Sequence, residues 1–261
     1  MCCMKTSGLL MHGADAFFGS EVTPSIPRPD PFRFCHRCGK GVVHDRPPDA
    51  LLSSSKTPSE LVSSVSCHGC GRNPDGRIRQ MRDAGISEVH CGWCDQGTSA
   101  EILRSWKSAP GNEVSCLNAG RLLGEMLLWR CEDRFSDQSV LFKGNVLVPM
   151  PGWWERRLSR GFDPSLRLAE GISEILGWPV WCPLKRVYGG RMAGKSRVQR
   201  RKTSQRLLRM RIDSSRKFMK ECCLWIVDDL LASGSTSAAA GRLLRQFRPH
   251  RVDLVVANVR N

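Results

Sequence analysis

The sequence contains a single tyrosine, and aromatic residues make up only 7% of it. Few rings are therefore available for stacking on nucleic-acid bases. No apolar run approaches the roughly 18 residues that a membrane-spanning helix requires. The N-terminal residues also lack the sustained apolar stretch of a secretory signal. We therefore expect a cytoplasmic protein that does not insert into a membrane.

Acidic residues are scarce in one part of the chain. The whole sequence has 40 Lys and Arg against 25 Asp and Glu, a net charge of +15. Between Lys185 and Lys220, here termed the basic block, 14 Lys or Arg stand against one acid, Asp213, which gives a local charge of +13. Charge concentrated in this way indicates a local site for phosphate or another polyanion, not a uniformly nucleic-acid-binding surface.

Cysteine is abundant, with 13 residues, six of which form three C-x-x-C pairs. In a reducing compartment, two thiolates one tight turn apart are typical of a tetrahedral zinc site. Two of the pairs are separated by about 20 residues, which is the spacing of a zinc ribbon. We therefore predict a structural Zn²⁺ bound by Cys67, Cys70, Cys91 and Cys94.

The remaining pair, Cys35 and Cys38, leaves three possibilities open. It takes the place of the second pair as partner of the third, it binds a second metal, or it binds none. A second metal would find additional ligands among nearby histidines, which are His36, His44 and His68. The Ser/Pro-rich run that follows, at 46–66, is typical of a linker or flexible insertion.

Helical and strand patterns alternate along the rest of the chain. The predicted strands lie at 145–149, 180–184, 222–227 and 252–257, and the predicted helices at 114–130, 163–177 and 235–247. This alternation favours an α/β domain with a mainly parallel sheet flanked by helices. The predicted organisation is an uncertain tail (1–30), a cysteine-rich zinc-binding module (31–96) and the α/β domain (97–261).

The segment 224–236, LWIVDDLLASGST, carries the clearest chemistry. An apolar strand ends in Asp228 and Asp229, and a loop of small residues then opens into a helix. Ligands bind at the carboxyl edge of parallel sheets. Small residues at a helix N-terminus allow backbone N–H groups to surround a phosphate. Two adjacent carboxylates are suited to the vicinal hydroxyls of a sugar.

This segment resembles the signature with which type I phosphoribosyltransferases bind 5-phosphoribosyl-1-pyrophosphate (PRPP). Upstream, VLVPMP at 146–151 is followed by RLSRGF at 157–162. That order is similar to the ComF family of the same superfamily, whose members carry an Arg-Gly-Phe element here and an N-terminal four-cysteine zinc module. The resemblance covers roughly residues 67–261 and implies a phosphoribosyltransferase-like fold.

The resemblance also implies a role for each motif. Asp228 and Asp229 would bind the ribose hydroxyls, and Arg157 and Arg160 would contact the pyrophosphate. The pyrophosphate loop, with Mg²⁺ bridging pyrophosphate and ribose oxygens, would be Met150, Pro151 and Gly152. The 5′-phosphate would be bound by Ala232, Ser233, Gly234, Ser235 and Thr236. The implied reaction transfers the phosphoribosyl group to an unidentified nitrogenous acceptor and releases pyrophosphate.

The basic block falls where related enzymes have a loop that closes over the site. We therefore expect Lys195, Arg197 or Lys202 to reach the pyrophosphate on closure. ComF-type proteins are associated with DNA uptake in competence, so the alternative is that this block binds single-stranded nucleic acid through its phosphates. A third alternative is a protein that senses PRPP without turnover.

One departure from the family pattern lies beside the predicted pyrophosphate contacts. The Arg-Gly-Phe element is usually followed by Asn-Gln, whereas this chain has Asp163-Pro164. An amide is thereby replaced by an acid, which changes what this segment can donate to a ligand. A Pro directly after Asp also predicts that a helix begins here.

Overall fold

The computed structural model describes residues 26–29, 76–108, 110–130, 144–187, 208–211 and 221–260. In these residues no helix is long and apolar enough to cross a membrane. The elements are α1 (Gly76–Asp83), β1 (Val89–Cys94), α2 (Gly97–Ser108), α3 (Glu113–Arg130), β2 (Asn145–Pro149), α4 (Trp154–Arg160), α5 (Pro164–Leu176), β3 (Leu184–Arg186), β4 (Leu208–Met210), β5 (Cys223–Leu231), α6 (Ser235–Leu244), a 3₁₀ turn (Arg245–Phe247) and β6 (Arg251–Val259).

Four of the strands form one sheet in the order β1-β6-β5-β2, and every neighbouring pair is parallel. Val146 pairs with Leu224, and Leu224 pairs with Val252 on the other side. The central strands are apolar and buried on both faces, as expected of a parallel sheet covered by helices on each side. The α/β class with a parallel sheet and flanking helices, predicted from the sequence, is confirmed.

The sheet separates two apolar clusters, each of which is covered by helices on one face. On one face of the sheet, α1 and α6 contribute Met81, Ala240 and Leu244 to an apolar cluster. On the other face, α2, α3 and α5 bury a second cluster that includes Trp106 and Leu168. Alternate residues of β5 point into each cluster, because successive side chains of a strand lie on opposite faces.

Helices α3 and α5 approach each other unusually closely at two glycines. A Cβ added at Gly120 would collide with the backbone of Leu168 and Gly171, and one added at Gly171 would collide with the carbonyl oxygen of Leu117. The contact is between backbones, so no side-chain rotation would relieve such a clash. These glycines therefore fix the position of α5, whose first turn borders the candidate site.

Because of strand β1, the α/β domain begins earlier in the chain than the sequence predicted. The sequence places that boundary at residue 97, but β1 pairs with β6 from Val89 to Cys94 and belongs to the sheet. Cys91 is completely buried in the core. Residues 91 and 94 lie in extended backbone, which separates their Cα atoms by roughly 10 Å. This arrangement differs from the tight turn on which the zinc prediction for this pair depends.

The predicted strand at 180–184 is also arranged differently. Val180 makes one isolated parallel bridge to Leu147. The regular strand β3 begins at Leu184 and pairs antiparallel with β4, forming a separate two-stranded ribbon inside the basic block. Pro179 and Pro183 have no backbone N–H to donate, which explains why a longer strand beside β2 is not formed.

Candidate functional site

A cavity of about 220 Å³ opens at the carboxyl edge of the sheet, beside the ends of β2 and β5. This is the edge at which open parallel sheets bind ligands. Its lining brings together the three motifs that the sequence analysis selected. The lining residues are Lys107, Met150, Pro151, Gly152, Trp153, Arg156, Arg157, Arg160, Asp163, Pro164, Ser165, Arg186, Asp228, Asp229, Leu230 and Thr236.

The loop after β2 forms one wall of the cavity. The backbone N–H of Met150 donates to the carbonyl oxygen of Val227 at 2.8 Å, which anchors the loop to β5. The N–H of Gly152 donates to Oδ2 of Asp163, also at 2.8 Å. A Cβ on Gly152 would lie 2.7 Å from that same oxygen, so a larger residue would displace the carboxylate.

Asp163 stands at the start of α5 and is only 6% exposed. Burial raises the pKa of this carboxyl group, and the Gly152 N–H and the charge of Arg157 oppose part of that rise. Nε of Arg157 lies 3.9 Å from Oδ2. The other oxygen, Oδ1, accepts no hydrogen bond of normal geometry from the described residues.

The short helix α4 presents basic side chains to the cavity. None of its residues is buried, and it ends at Gly161, whose φ of 83° is the left-handed conformation that glycine adopts readily. Burial lowers the pKa of Arg160, as does the neighbouring charge of Arg156. Within the described residues, the buried Nε of Arg160 has no hydrogen-bond partner, so this group is available to an anion.

Asp228 and Asp229 lie within β5, because the strand continues to Leu231 and Asp228 pairs with Val256. The sequence predicted that the strand would end at this pair. Oδ1 of Asp228 accepts hydrogen bonds from the Asp229 N–H at 2.9 Å and from the Ser165 hydroxyl at 3.3 Å. Burial, followed by the charge of Asp229, raises the pKa of Asp228 to about 7.

Three basic residues of the cavity, Lys107, Arg156 and Arg186, were not predicted from the sequence. Nζ of Lys107, from the last turn of α2, lies 3.1 Å from Oδ2 of Asp229. Arg186, from β3, also lines the cavity, and its charge opposes the rise in the pKa of Asp228. Among the described residues, the lining therefore contains five Lys or Arg against three Asp, a balance that suits an anionic ligand.

The predicted phosphate loop leads from β5 into α6. Gly234 has a φ of 72°, and the hydroxyls of Ser233 and Ser235 lie 2.8 Å apart. Thr236 lines the cavity, while Ala232, Ser233, Gly234 and Ser235 form the turn beside it and are not part of the lining. The first N–H groups of a helix lack intrahelical acceptors, so this turn can donate to a phosphate.

The oxygen donors of the cavity fit Mg²⁺ bound together with a phosphorylated ligand. Mg²⁺ in such sites uses one or two carboxylates and completes its coordination with phosphate oxygens and water. Asp228 and Asp229 supply adjacent carboxylates, and the buried Oδ1 of Asp163 is a further oxygen with spare acceptor capacity. Mg²⁺ would supply positive charge beside the phosphate groups of such a ligand.

The zinc prediction stays a prediction. Cys35, Cys38, Cys67 and Cys70 lie outside the described residues. Cys91 is buried and Cys94 is half-buried in β1. Among the residues that the structure describes, no group of three or more His, Cys, Asp or Glu is arranged to hold a metal ion.

Within the basic block, the structure describes residues 185–187 and 208–211. Lys195, Arg197 and Lys202 lie outside the described residues, so their approach to the pyrophosphate stays a prediction. The two described stretches contain most of the ribbon of β3 and β4, in which Leu184 pairs with Met210 and Arg186 pairs with Leu208. Through Arg186, this ribbon contributes directly to the cavity.

The chain was also compared with known proteins. No protein-family model matches it, and no curated protein matches it. The functional conclusion therefore depends on the residues and on the geometry of the cavity.

Proposed function

We propose that this protein binds PRPP in the cavity at the carboxyl edge of its sheet and transfers the phosphoribosyl group to a nitrogenous acceptor. One observation carries the proposal. Three motifs that are far apart in the sequence, the loop at 150–152, the arginines of α4 and the Asp228-Asp229 pair, line the same cavity. Their charges and hydrogen-bonding groups match the parts of one ligand that has a pyrophosphate, a diol and a phosphate.

Each part of the cavity suits one part of PRPP. Asp228 and Asp229 accept hydrogen bonds from the ribose hydroxyls. The turn at 232–236 donates to the 5′-phosphate through Thr236 and the N-terminus of α6. The half-buried Arg160, with Arg157 and the Gly152 loop, faces the pyrophosphate.

The chemistry requires little proton transfer by the protein. As the bond from C1 to pyrophosphate breaks, positive charge develops on the ribose and negative charge on the departing group. Positively charged groups that are fixed before the reaction stabilise the leaving group. Fixing both ends of the ligand also orients C1 toward the acceptor.

Calorimetry with PRPP, in the presence and absence of Mg²⁺, tests the proposal. We expect the wild type to bind PRPP and the double variant Asp228→Asn/Asp229→Asn to lose at least tenfold in affinity, because charge-assisted hydrogen bonds to the hydroxyls are lost. Asp95→Asn is a matched control, since Asp95 follows β1 at the same edge but pairs with Arg260 and does not line the cavity. Unchanged binding in the double variant would refute the site.

Pyrophosphate release distinguishes an enzyme from a PRPP sensor. With PRPP and Mg²⁺ present, candidate bases, ammonia and other amines are added in turn and pyrophosphate is measured. Release that depends on both the acceptor and Asp228 supports transfer. Binding without release for any acceptor supports a sensor.

A second candidate function, binding of single-stranded nucleic acid, is favoured by the ribbon. Lys185 and Arg209 pair directly across its two strands, and both are exposed. Like charges in this arrangement repel each other unless a polyanion lies over them. Arg211 extends the same basic end of the ribbon.

A salt series with a short oligonucleotide tests this candidate. If two phosphates are contacted, Lys185→Ala/Arg209→Ala should weaken binding and reduce the slope of log K against log salt by roughly 1.4. Arg79→Ala/Arg82→Ala, which removes two exposed charges from α1, is the control. Absence of binding at low salt, or a slope that the ribbon variant leaves unchanged, would remove the candidate.

A further inference from the structure

The carboxylate of Asp163 accepts the hydrogen bond of a backbone N–H group that an entering anion would otherwise accept. Its Oδ2 accepts the Gly152 N–H at 2.8 Å, in the loop after β2. A Cβ at residue 152 would lie 2.7 Å from the same oxygen, so the loop and the carboxylate fit closely together. The protein thus has its own negative group in the part of the cavity where the proposed function requires a pyrophosphate.

The charge of this carboxylate is only partly compensated. Asp163 is 6% exposed, so little water reaches it. Its ion-pair partner Arg157 is 3.9 Å away, and the side chain of that arginine is 49% exposed. From the residues that the structure describes, Oδ1 accepts no hydrogen bond of normal geometry, although the Ser165 N–H is close enough to favour the charged form. Asp229 adds a further negative charge nearby.

From this geometry, and resting on the proposed function, we propose that Asp163 is a specificity-determining residue. It makes the cavity select a diphosphate that carries Mg²⁺ over the same diphosphate without a metal. A free diphosphate that enters beside Gly152 meets the buried carboxylate, and the two negative charges repel strongly where water is excluded. Mg²⁺ on the diphosphate reduces that repulsion.

Inorganic pyrophosphate is the probe that tests this role, and calorimetry is the measurement. For the wild type we expect binding of pyrophosphate with Mg²⁺ to be tighter by about tenfold or more than binding without it, since a close like-charge pair costs this much or more in a partly buried site. In Asp163→Asn the side-chain carbonyl still accepts from Gly152, but the charge is gone. Free pyrophosphate should therefore bind more tightly to this variant, and Mg²⁺ should increase the affinity for pyrophosphate by only about threefold.

Glu174→Gln is the matched control. It makes the same change of charge on the same helix, but Glu174 is 47% exposed, pairs with Arg121 and does not line the cavity. For this variant, Mg²⁺ should increase the affinity for pyrophosphate by the same factor as for the wild type. Thermal unfolding checks that each variant is folded, and Asp163→Ser provides the same comparison if Asp163→Asn is not.

The outcomes separate this inference from the proposed function. Suppose that the wild type binds PRPP, but that a neutral residue at position 163 leaves unchanged the factor by which Mg²⁺ increases the affinity for pyrophosphate. The role of Asp163 is then refuted and the proposed function stands. The same conclusion follows if both forms of pyrophosphate bind more weakly to the variant. If the wild type binds neither PRPP nor pyrophosphate, both proposals fail.

Discussion

Nζ of Lys107 lies 3.1 Å from Oδ2 of Asp229, and this contact joins the end of α2 to the carboxylates of β5. The two residues are far apart in sequence, and both line the cavity. Lys107 neutralises part of the negative charge that two adjacent aspartates create. It also opposes the rise in the pKa of Asp228.

Replacing Lys107 by Met should weaken PRPP binding by roughly five- to tenfold, because one of the positive charges that attract the ligand is lost. Calorimetry at fixed Mg²⁺ gives the affinity. Arg104→Met removes the same charge one turn earlier on α2, from a residue that is exposed and outside the cavity. Equal affinities for Lys107→Met and Arg104→Met would contradict the assignment.

The raised pKa of Asp228 predicts a dependence of stability on pH. With a pKa of about 7, the folded protein holds a proton that the unfolded chain has already released above roughly pH 4. The folded state binds more protons in this window, so the free energy of unfolding falls as pH rises from about 4 to 7 and changes no further above it.

Asp228→Asn removes the loss of stability that accompanies the rise in pH, because the amide has no proton to release. The variant should resemble the wild type at about pH 4 and exceed its stability by about 2 kcal/mol at pH 8, a value reduced from the full shift because the site is partly solvated. Urea unfolding at several pH values measures the difference. Asp83→Asn, at an exposed position on α1, should show no such growth. A difference that is constant with pH would contradict the prediction.

The close approach of α3 and α5 predicts that substitution by alanine has different effects on stability at two glycines. Gly171→Ala should cost about 3 kcal/mol of stability, because the new Cβ meets the backbone of α3. Gly124→Ala should cost about 2 kcal/mol, since its Cβ would lie 2.8 Å from the Cβ of Ile175, which side-chain rotation does not move, but which is farther away than the backbone oxygen that Gly171→Ala would meet. Denaturant unfolding measures both, and a cost well below 1 kcal/mol for Gly171→Ala would show that the helices move apart freely.

Zinc content tests the cysteine prediction. The predicted ligand set implies that Cys91→Ala loses its zinc, because a tetrahedral site fails without one thiolate. Cys67→Ser should lose zinc for the same reason if the N-terminal cysteines are the ligands. Elemental analysis of the purified variants gives the zinc content per chain. Zinc retained in Cys91→Ala would exclude that residue, which is buried in strand β1, from the ligand set.

Local patterns were sufficient to predict much of the fold. Helix α5 begins at Pro164, as the Asp-Pro pair indicated, and ends at Leu176 before Gly177. Strand β2 has the predicted limits. Strand β1 was missed because its sequence, VHCGWC, has the spacing of a metal site and little apolar periodicity. Helix α4 was missed because it buries no side chain, so it has no apolar pattern.

The sequence by itself determined which short segments carry chemistry: the Asp228-Asp229 pair, the small-residue turn after it and the loop at 150–152. These depend on neighbouring residues, which local chemistry can specify. Only the tertiary structure decided which charges surround them. Lys107 enters from the end of a distant helix, and Asp163 reaches Gly152 because α5 packs against α3 through glycines. Such contacts depend on how helices pack, and no local pattern encodes them.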